Sequence, residues 1–327
     1  MQDTAPRIEE IIALSRSQAT RIMRTPSVRC AGIEDALDNG TIVYGKLEFL
    51  QHTGTFKARG ATALTSKLSV EQRAIGVTAV SAGNHAIAVA YAANVVGTHA
   101  KVVMIASANP CRIAACRALG GEVVIADTAH SAFEVAEKIQ RDEGRFFVHP
   151  YEGRDIAMGT GTVGLEIAQQ VDDFDVVLVA IGGGGLIGGI SNALKQVRPD
   201  CKIIGVEAKG ADSMHRSFVT GKPESIDEVK TIADSLGAPY ALPFSFSLCR
   251  RNVDQLVLVS DTQLREAMGF LYSHMQIAVE PACAAATAAL LGAFARAACG
   301  QESCAGFLRQ QYRLGHLAST GDSGLTC

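Results

Sequence analysis

Lys57 lies in Thr53-Gly54-Thr55-Phe56-Lys57-Ala58-Arg59-Gly60-Ala61, where an aromatic ring precedes the amine and glycines and small side chains flank it. A lysine that serves only as surface charge has polar neighbours. One set among small and aromatic residues can admit a planar group and condense with its carbonyl as a Schiff base. Two further runs suit anions. Gly182-Gly183-Gly184-Gly185, continued by Leu186, follows the apolar run 176–181, so its unobstructed amides and a nearby helix start can wrap a phosphate without any basic side chain. The same run would serve as a flexible turn or a dinucleotide loop, but the GxGxxG register is missing and Glu207 is the only acidic residue placed for a ribose. Ser81-Ala82-Gly83-Asn84-His85 opens a helix after the run 75–80; it reads as a carboxylate site on a positive helix end or as an ordinary turn and N-cap. Glu280-Pro281-Ala282 and Ser319-Thr320-Gly321-Asp322 come later.

Regular elements must hold these residues. The periodicity predicts an amphipathic helix over 8–22, a strand over 41–49 and a helix over 56–68 that starts at Lys57. Strands over 75–80, 101–105, 122–125 and 146–149 then alternate with helices over 84–96, 111–119 and 131–143. After Pro150 the series continues with a helix over 161–170, a strand over 176–181, a helix over 189–197, strands over 202–207 and 256–259, and helices over 262–274 and 281–298. Repeated βα units imply parallel sheets covered by helices, with a ligand at the carboxyl ends of the strands.

The 327 residues exceed the usual single-core size, and 48% hydrophobic content fills two cores. Thirty basic and 33 acidic side chains leave a formal charge of −3 with no long run of either sign, so a small molecule is favoured over nucleic acid. The nine cysteines lack CxxC spacing, which argues against a zinc site or a disulfide framework and fits reduced thiols in the cytoplasm. Acidic residues near the N-terminus and the lack of a long apolar run give no sign of a signal peptide or a membrane span.

In this order the segments resemble the pyridoxal-phosphate enzymes of the tryptophan-synthase β fold type, fold type II, and specifically the threonine dehydratase and serine racemase branch, from about Arg24 to Asp322. The resemblance implies two α/β domains, each an open, mostly parallel sheet covered by helices, with the cofactor in the cleft between them. A smaller domain of 71–149 would be inserted into a larger one of 1–70 and 150–327. Lys57 would carry the Schiff base and Phe56 would lie against the cofactor ring. Ser81, Ala82, Gly83, Asn84 and His85 would take the substrate carboxylate, Asn84 also bonding the ring hydroxyl. Gly182, Gly183, Gly184, Gly185 and Leu186 would hold the phosphate, Glu280 would stand near the ring, and Ser319 would bond the pyridine nitrogen. A neutral hydroxyl at that nitrogen weakens the electron sink, which suits loss of a β-substituent. Glu207, the Ala211 carbonyl and Ser213 match the place where several relatives hold Mg²⁺ or Ca²⁺, with a serine where a carboxylate is usual. Ser235 stands where glycine is usual in this branch.

The expected activity is dehydration of a 3-hydroxy amino acid, with L-threonine and L-serine as default substrates by resemblance. A racemase of this branch carries a serine at the position of Ala82, and a methyl group transfers no proton. A β-replacement enzyme matches less well at the asparagine loop, and a non-catalytic cofactor-binding protein would have little use for Lys57 beside two anion loops. The resemblance further implies a cytoplasmic homodimer without a separate regulatory domain.

Overall fold

The computed structural model describes residues 4–294 and 313–317. The strands among them are β1 (Ser27–Arg29), β2 (Ile42–Leu47), β3 (Val77–Val80), β4 (Ala100–Ile105), β5 (Glu122–Ala126), β6 (Phe146–Phe147), β7 (Val176–Ala180), β8 (Lys202–Ala208), β9 (Gln255–Val259) and β10 (Arg313–Leu317). They form three sheets, ordered β1-β2-β10, β5-β4-β3-β6 and β7-β8-β9. Every pairing is parallel except β1 with β2. The mixed α/β architecture, with parallel sheets under helices, is the expected fold class.

Burial explains the strand sequences. Val176–Ala180 is an unbroken apolar run because both faces of β7 are covered. The core beneath it joins Val177, Val179 and Ile181 to Ile187, Ile190 and Leu194 of the helix Gly185–Val197. A second core gathers Val77, Ala79, Val102 and Met104 against the alanine-rich helix Asn84–Val95. Small side chains there let the helix lie close to the sheet.

Several expected boundaries shift. The helix expected over 161–170 begins at Arg154, because Gly159 takes the backbone of Arg59 against it and Gly189 of the facing helix leaves room for Thr160. A Cβ at either glycine would overlap those atoms. Residue 75 ends a helix, Val70–Ile75, instead of starting a strand: Ser69 and Gln72 form a capping box, and Gly76 (φ +98°) stops it in a conformation that suits glycine. The helix over 189–197 starts four residues earlier, directly on the glycine run. Helices Ala31–Leu37, Ser213–Thr220 and Pro243–Asn252 were not anticipated.

Both anion-suited loops leave the carboxyl ends of parallel strands, Ser81 following β3 and the glycine run following β7. That is where open α/β sheets place ligands.

Candidate active site

Lys57 is the first residue of the helix Lys57–Thr65, and its amide donates to the Thr55 hydroxyl at 3.2 Å. Its Nζ donates to the Pro150 carbonyl at 2.7 Å and lies 5.2 Å from the centre of the Phe56 ring. Part of the side chain still faces open space, but the surrounding protein excludes enough water to pull the ammonium down to about 8, against the attraction of Glu280. An amine with that pKa is roughly one-tenth neutral at pH 7, hundreds of times more than a solvated lysine, which makes it available as a nucleophile or base.

Two residues further along the same helix, buried Arg59 anchors its start. Its guanidinium donates through Nε and Nη2 to both oxygens of Glu48, each at 2.8 Å, and through Nη1 to Glu166 at 2.7 Å. Lys46 Nζ bonds Glu166 at 2.6 Å. Burial opposes the Arg59 charge, but the two carboxylates outweigh it and raise its pKa.

The glycine run packs against Tyr151, the residue that follows the carbonyl holding Lys57. Gly184 has φ +89°, a left-handed conformation that favours glycine, and it caps the helix Gly185–Val197. A Cβ at Gly183 would overlap the Tyr151 ring, and one at Gly182 would meet the backbone of Leu236 at 3.2 Å. Buried Leu186 follows in the first turn.

On the opposite wall, Asn84 begins the helix after β3. Its Nδ2 donates to Ser235 Oγ at 2.9 Å and approaches the Glu280 carboxylate at 3.3 Å. Ser235 Oγ donates to Glu280 Oε2 at 3.2 Å, and Arg112 Nη2 reaches the same oxygen at 3.3 Å. Burial pushes the Glu280 carboxyl well above its ordinary range, opposed by these donors. Within the loop, Ser81 Oγ accepts from the Gly83 amide at 3.2 Å, while Ala82 offers only a methyl group. The His85 ring is turned away: Nε2 bonds the Val148 carbonyl at 2.9 Å, and burial, with the Lys57 charge, lowers its pKa to about 3. His85 can therefore serve a ligand only through its backbone.

Lys57, Phe56, Asn84, Glu280 and the glycine run thus converge, joined by Pro150–Tyr151 on one side and the turn Asp234–Leu236 on the other. Ser319 lies outside the described residues. Sequence reasoning missed Arg112, Asp234, Tyr151 and the Pro150 carbonyl; of these, only a cation in the first turn of the helix Pro110–Ala118, against the helix dipole, left a readable signal.

Glu207 and Ser213, expected with the Ala211 carbonyl at a cation, both have protein partners. Both Glu207 oxygens accept amides, from Met214 at 2.9 Å and His215 at 2.7 Å, and burial still pushes the carboxyl up to about 8. Ser213 Oγ donates to the Ala238 carbonyl at 3.3 Å. Glu207 thus satisfies amides at the start of the helix Ser213–Thr220, a use of both its oxygens that does not fit a tightly held Mg²⁺ or Ca²⁺, and no group of three His, Cys, Asp or Glu side chains among the described residues could hold a metal.

Residues 19–305 match the family of pyridoxal-phosphate dependent enzymes. The chain belongs to that family. It is 54% identical over 253 residues to phenylserine dehydratase of Ralstonia pickettii, covering 77% of this chain and 78% of the relative. It is 36% identical over 285 residues to L-threonine ammonia-lyase of Thermotoga maritima, covering 87% and 71%. The solved structure of maize serine racemase superposes with a TM-score of 0.90 at 32% identity, over 98% of this chain and 95% of that one. These likenesses place the chain among the two-domain enzymes of fold type II.

The geometry fits the family's cofactor. The chain presents an amine of lowered pKa, a glycine cradle that a single Cβ would fill, and an asparagine and a carboxylate on the opposite wall. Gly183→Ala is expected to weaken pyridoxal-phosphate binding at least about tenfold, since the added methyl would overlap the Tyr151 ring and force the loop or the ring to shift. Gly40, at φ +77° with nothing near its Cα face, supplies the comparison: Gly40→Ala costs about 1 kcal/mol of stability through backbone strain and leaves cofactor affinity alone. Titrating the cofactor into the two apoproteins checks this, and equal affinities would reduce the glycines to a turn.

Proposed function

We propose that the chain is a pyridoxal-phosphate-dependent dehydratase that converts a 3-hydroxy amino acid to a 2-oxo acid and ammonia. The observation that carries this reading is the Lys57 amine, held near neutral pKa between an anion-suited glycine cradle and the asparagine loop. The names of the relatives, phenylserine dehydratase and L-threonine ammonia-lyase, favour the same reaction class.

The bound cofactor supplies an electron sink for the charge that develops at the substrate α-carbon. Lys57 Nζ takes the α-proton, a task suited to a base whose pKa lies near working pH. The amides of the loop 81–85 and the positive end of the helix Asn84–Val95 hold the α-carboxylate and orient the Cα–H bond. As the Cβ–O bond breaks, the hydroxyl departs as water, its proton balanced by the one that Lys57 Nζ has taken from the α-carbon. The released enamine becomes an imine, which water hydrolyses to the 2-oxo acid and ammonia. His85 and His149, whose pKa values burial lowers to about 3 and about 4, remain neutral and add no competing charge.

Solved serine racemases share the fold, but Ala82 offers no proton to the opposite face of the α-carbon. Elimination is therefore expected to exceed racemisation by at least about a hundredfold, the contribution typical of one positioned acid or base. Ala82→Ser is expected to raise racemisation. The deciding experiment offers both enantiomers of serine, threonine and 3-phenylserine, and follows 2-oxo acid release with chiral analysis of the remaining substrate. Fast interconversion of enantiomers by the unaltered protein would overturn the reading, as would the absence of 2-oxo acid from every substrate.

Domain limits of 1–70 with 150–327, around 71–149, agree with the containment of the β5-β4-β3-β6 sheet within residues 77–147. A homodimer in the cytoplasm completes the proposal. Among the described residues no helix is long and apolar enough to cross a membrane.

A further inference from the structure

Arg112 occupies an unfavourable place unless something outside its helix compensates. The helix Pro110–Ala118 is capped by the Asn109 side chain, which accepts from the Cys111 amide at 2.8 Å, and Arg112 stands in its first turn, where the helix dipole repels a cation. The compensation comes from across the cleft. Arg112 Nη1 donates to Asp234 Oδ2 at 2.6 Å and Nη2 to Glu280 Oε2 at 3.3 Å. The guanidinium also rests on the asparagine loop, because a Cβ at Gly83 would come within 2.9 Å of Nη1. Beside it, Asn84 donates to Ser235 at 2.9 Å, and Ser235 donates on to Glu280 at 3.2 Å.

Arg112, Gly83 and Asn84 belong to the wall built on β3, β4 and β5, whereas Asp234, Ser235 and Glu280 come from the wall that follows β7. We propose that Arg112 is a positioning residue which, together with Ser235, fastens these two walls across the site and holds the loop 81–85 against the turn Asp234–Leu236. The side chain of Glu280 is 2% exposed and that of Arg112 11%, so water competes little for the bond between them. Asp234 is largely exposed and forms the outer arm of the clamp.

The clamp also fixes a charge. The groups facing Glu280 are Arg112 and Lys57, which favour its carboxylate, and Asp234, which disfavours it; Asn84 and Ser235 are neutral donors. Without Arg112 the repulsion from Asp234 would stand unopposed on that wall, and Glu280 would hold its proton to higher pH. Ser235, where this branch usually has glycine, adds a bond between the walls that glycine could not make.

Hydrogen–deuterium exchange on the apoprotein tests the fastening without any turnover, so its failure is separate from failure of the dehydratase reading. Arg112→Ala is expected to speed exchange at least about tenfold in both 81–88 and 231–237, segments on opposite walls. In the holoenzyme the same variant should raise KM about tenfold or more, because the loop that meets the substrate carboxylate is no longer held. It should also move the acidic limb of kcat/KM to higher pH. Arg112→Lys keeps the charge but not the fork, so it should loosen both segments while leaving the limb in place. It is also the milder variant should Arg112→Ala fail to fold. Faster exchange confined to 110–118 in either variant overturns the proposal, as does an unmoved acidic limb in Arg112→Ala.

Discussion

Lys57→Ala is expected to abolish 2-oxo acid release, lowering turnover at least about a thousandfold, and to remove the visible absorption band of the holoprotein. Both effects follow from one atom: Nζ is the covalent anchor and the base in the proposed reaction, and no other lysine makes the contacts with Pro150 and Phe56 seen here. The band stands clear because no protein side chain absorbs in the visible. A second measurement probes the amine without turnover. Condensation requires the neutral amine, so the rate at which apoprotein takes up pyridoxal phosphate should rise about tenfold per pH unit below the Lys57 pKa and level off above about 8. A variant that keeps its visible band would remove Lys57 from the centre of the site.

Arg59→Ala is expected to destabilise the apoprotein by about 3–5 kcal/mol, the usual cost of breaking a buried ion pair from one side. Glu48 and Glu166 would be left facing each other's charge with only Lys46 to balance them. Arg59→Lys should recover little, since an ammonium cannot reproduce the forked bond to Glu48. Denaturant melts of the apoprotein measure the loss, and a change below about 1 kcal/mol would show that the network is dispensable. Burial raises the Glu48 carboxyl but Arg59, helped by Lys46 and the Thr25 hydroxyl, more than offsets it, so its folded pKa is depressed. The unfolded chain therefore binds the extra proton first on acidification. The stabilisation is present above the ordinary carboxylate range and is lost as pH falls through the folded value, and the acid side of the stability profile should flatten in Arg59→Ala.

Local signals carried much of this architecture. Apolar runs, alternating in β2 and continuous in β7, foretold β2, β3, β4, β7 and β8, and the types and order of residues around Lys57, Ser81 and Gly182 brought the candidate site together before any contact was known. What escaped was tertiary. Residues 154–160 precede the helix expected from 161, yet they are helical, and Gly159 there admits the backbone of Arg59. His85 sits in the expected loop with its ring committed to Val148, a partner 63 residues away. Glu207 carries the sequence context of a cation ligand but caps the helix at Ser213, which only the amide directions reveal. Arg112 is joined to the site by contacts with residues 234 and 280, and no short-range pattern encodes those.

The strand pairings also set an order of assembly. The sheet β5-β4-β3-β6 closes within one continuous stretch, 77–147, so its contacts become available as soon as that stretch leaves the ribosome. By contrast, β2 pairs with β10, joining Ile42 to Arg313. An emerging chain must therefore keep the unpaired edge of β2, on the segment leading to Lys57, from pairing wrongly while some 270 residues are added, and translation at about 5–20 residues per second makes that wait tens of seconds. Aggregation during synthesis, more than instability of the finished protein, is the hazard this topology creates.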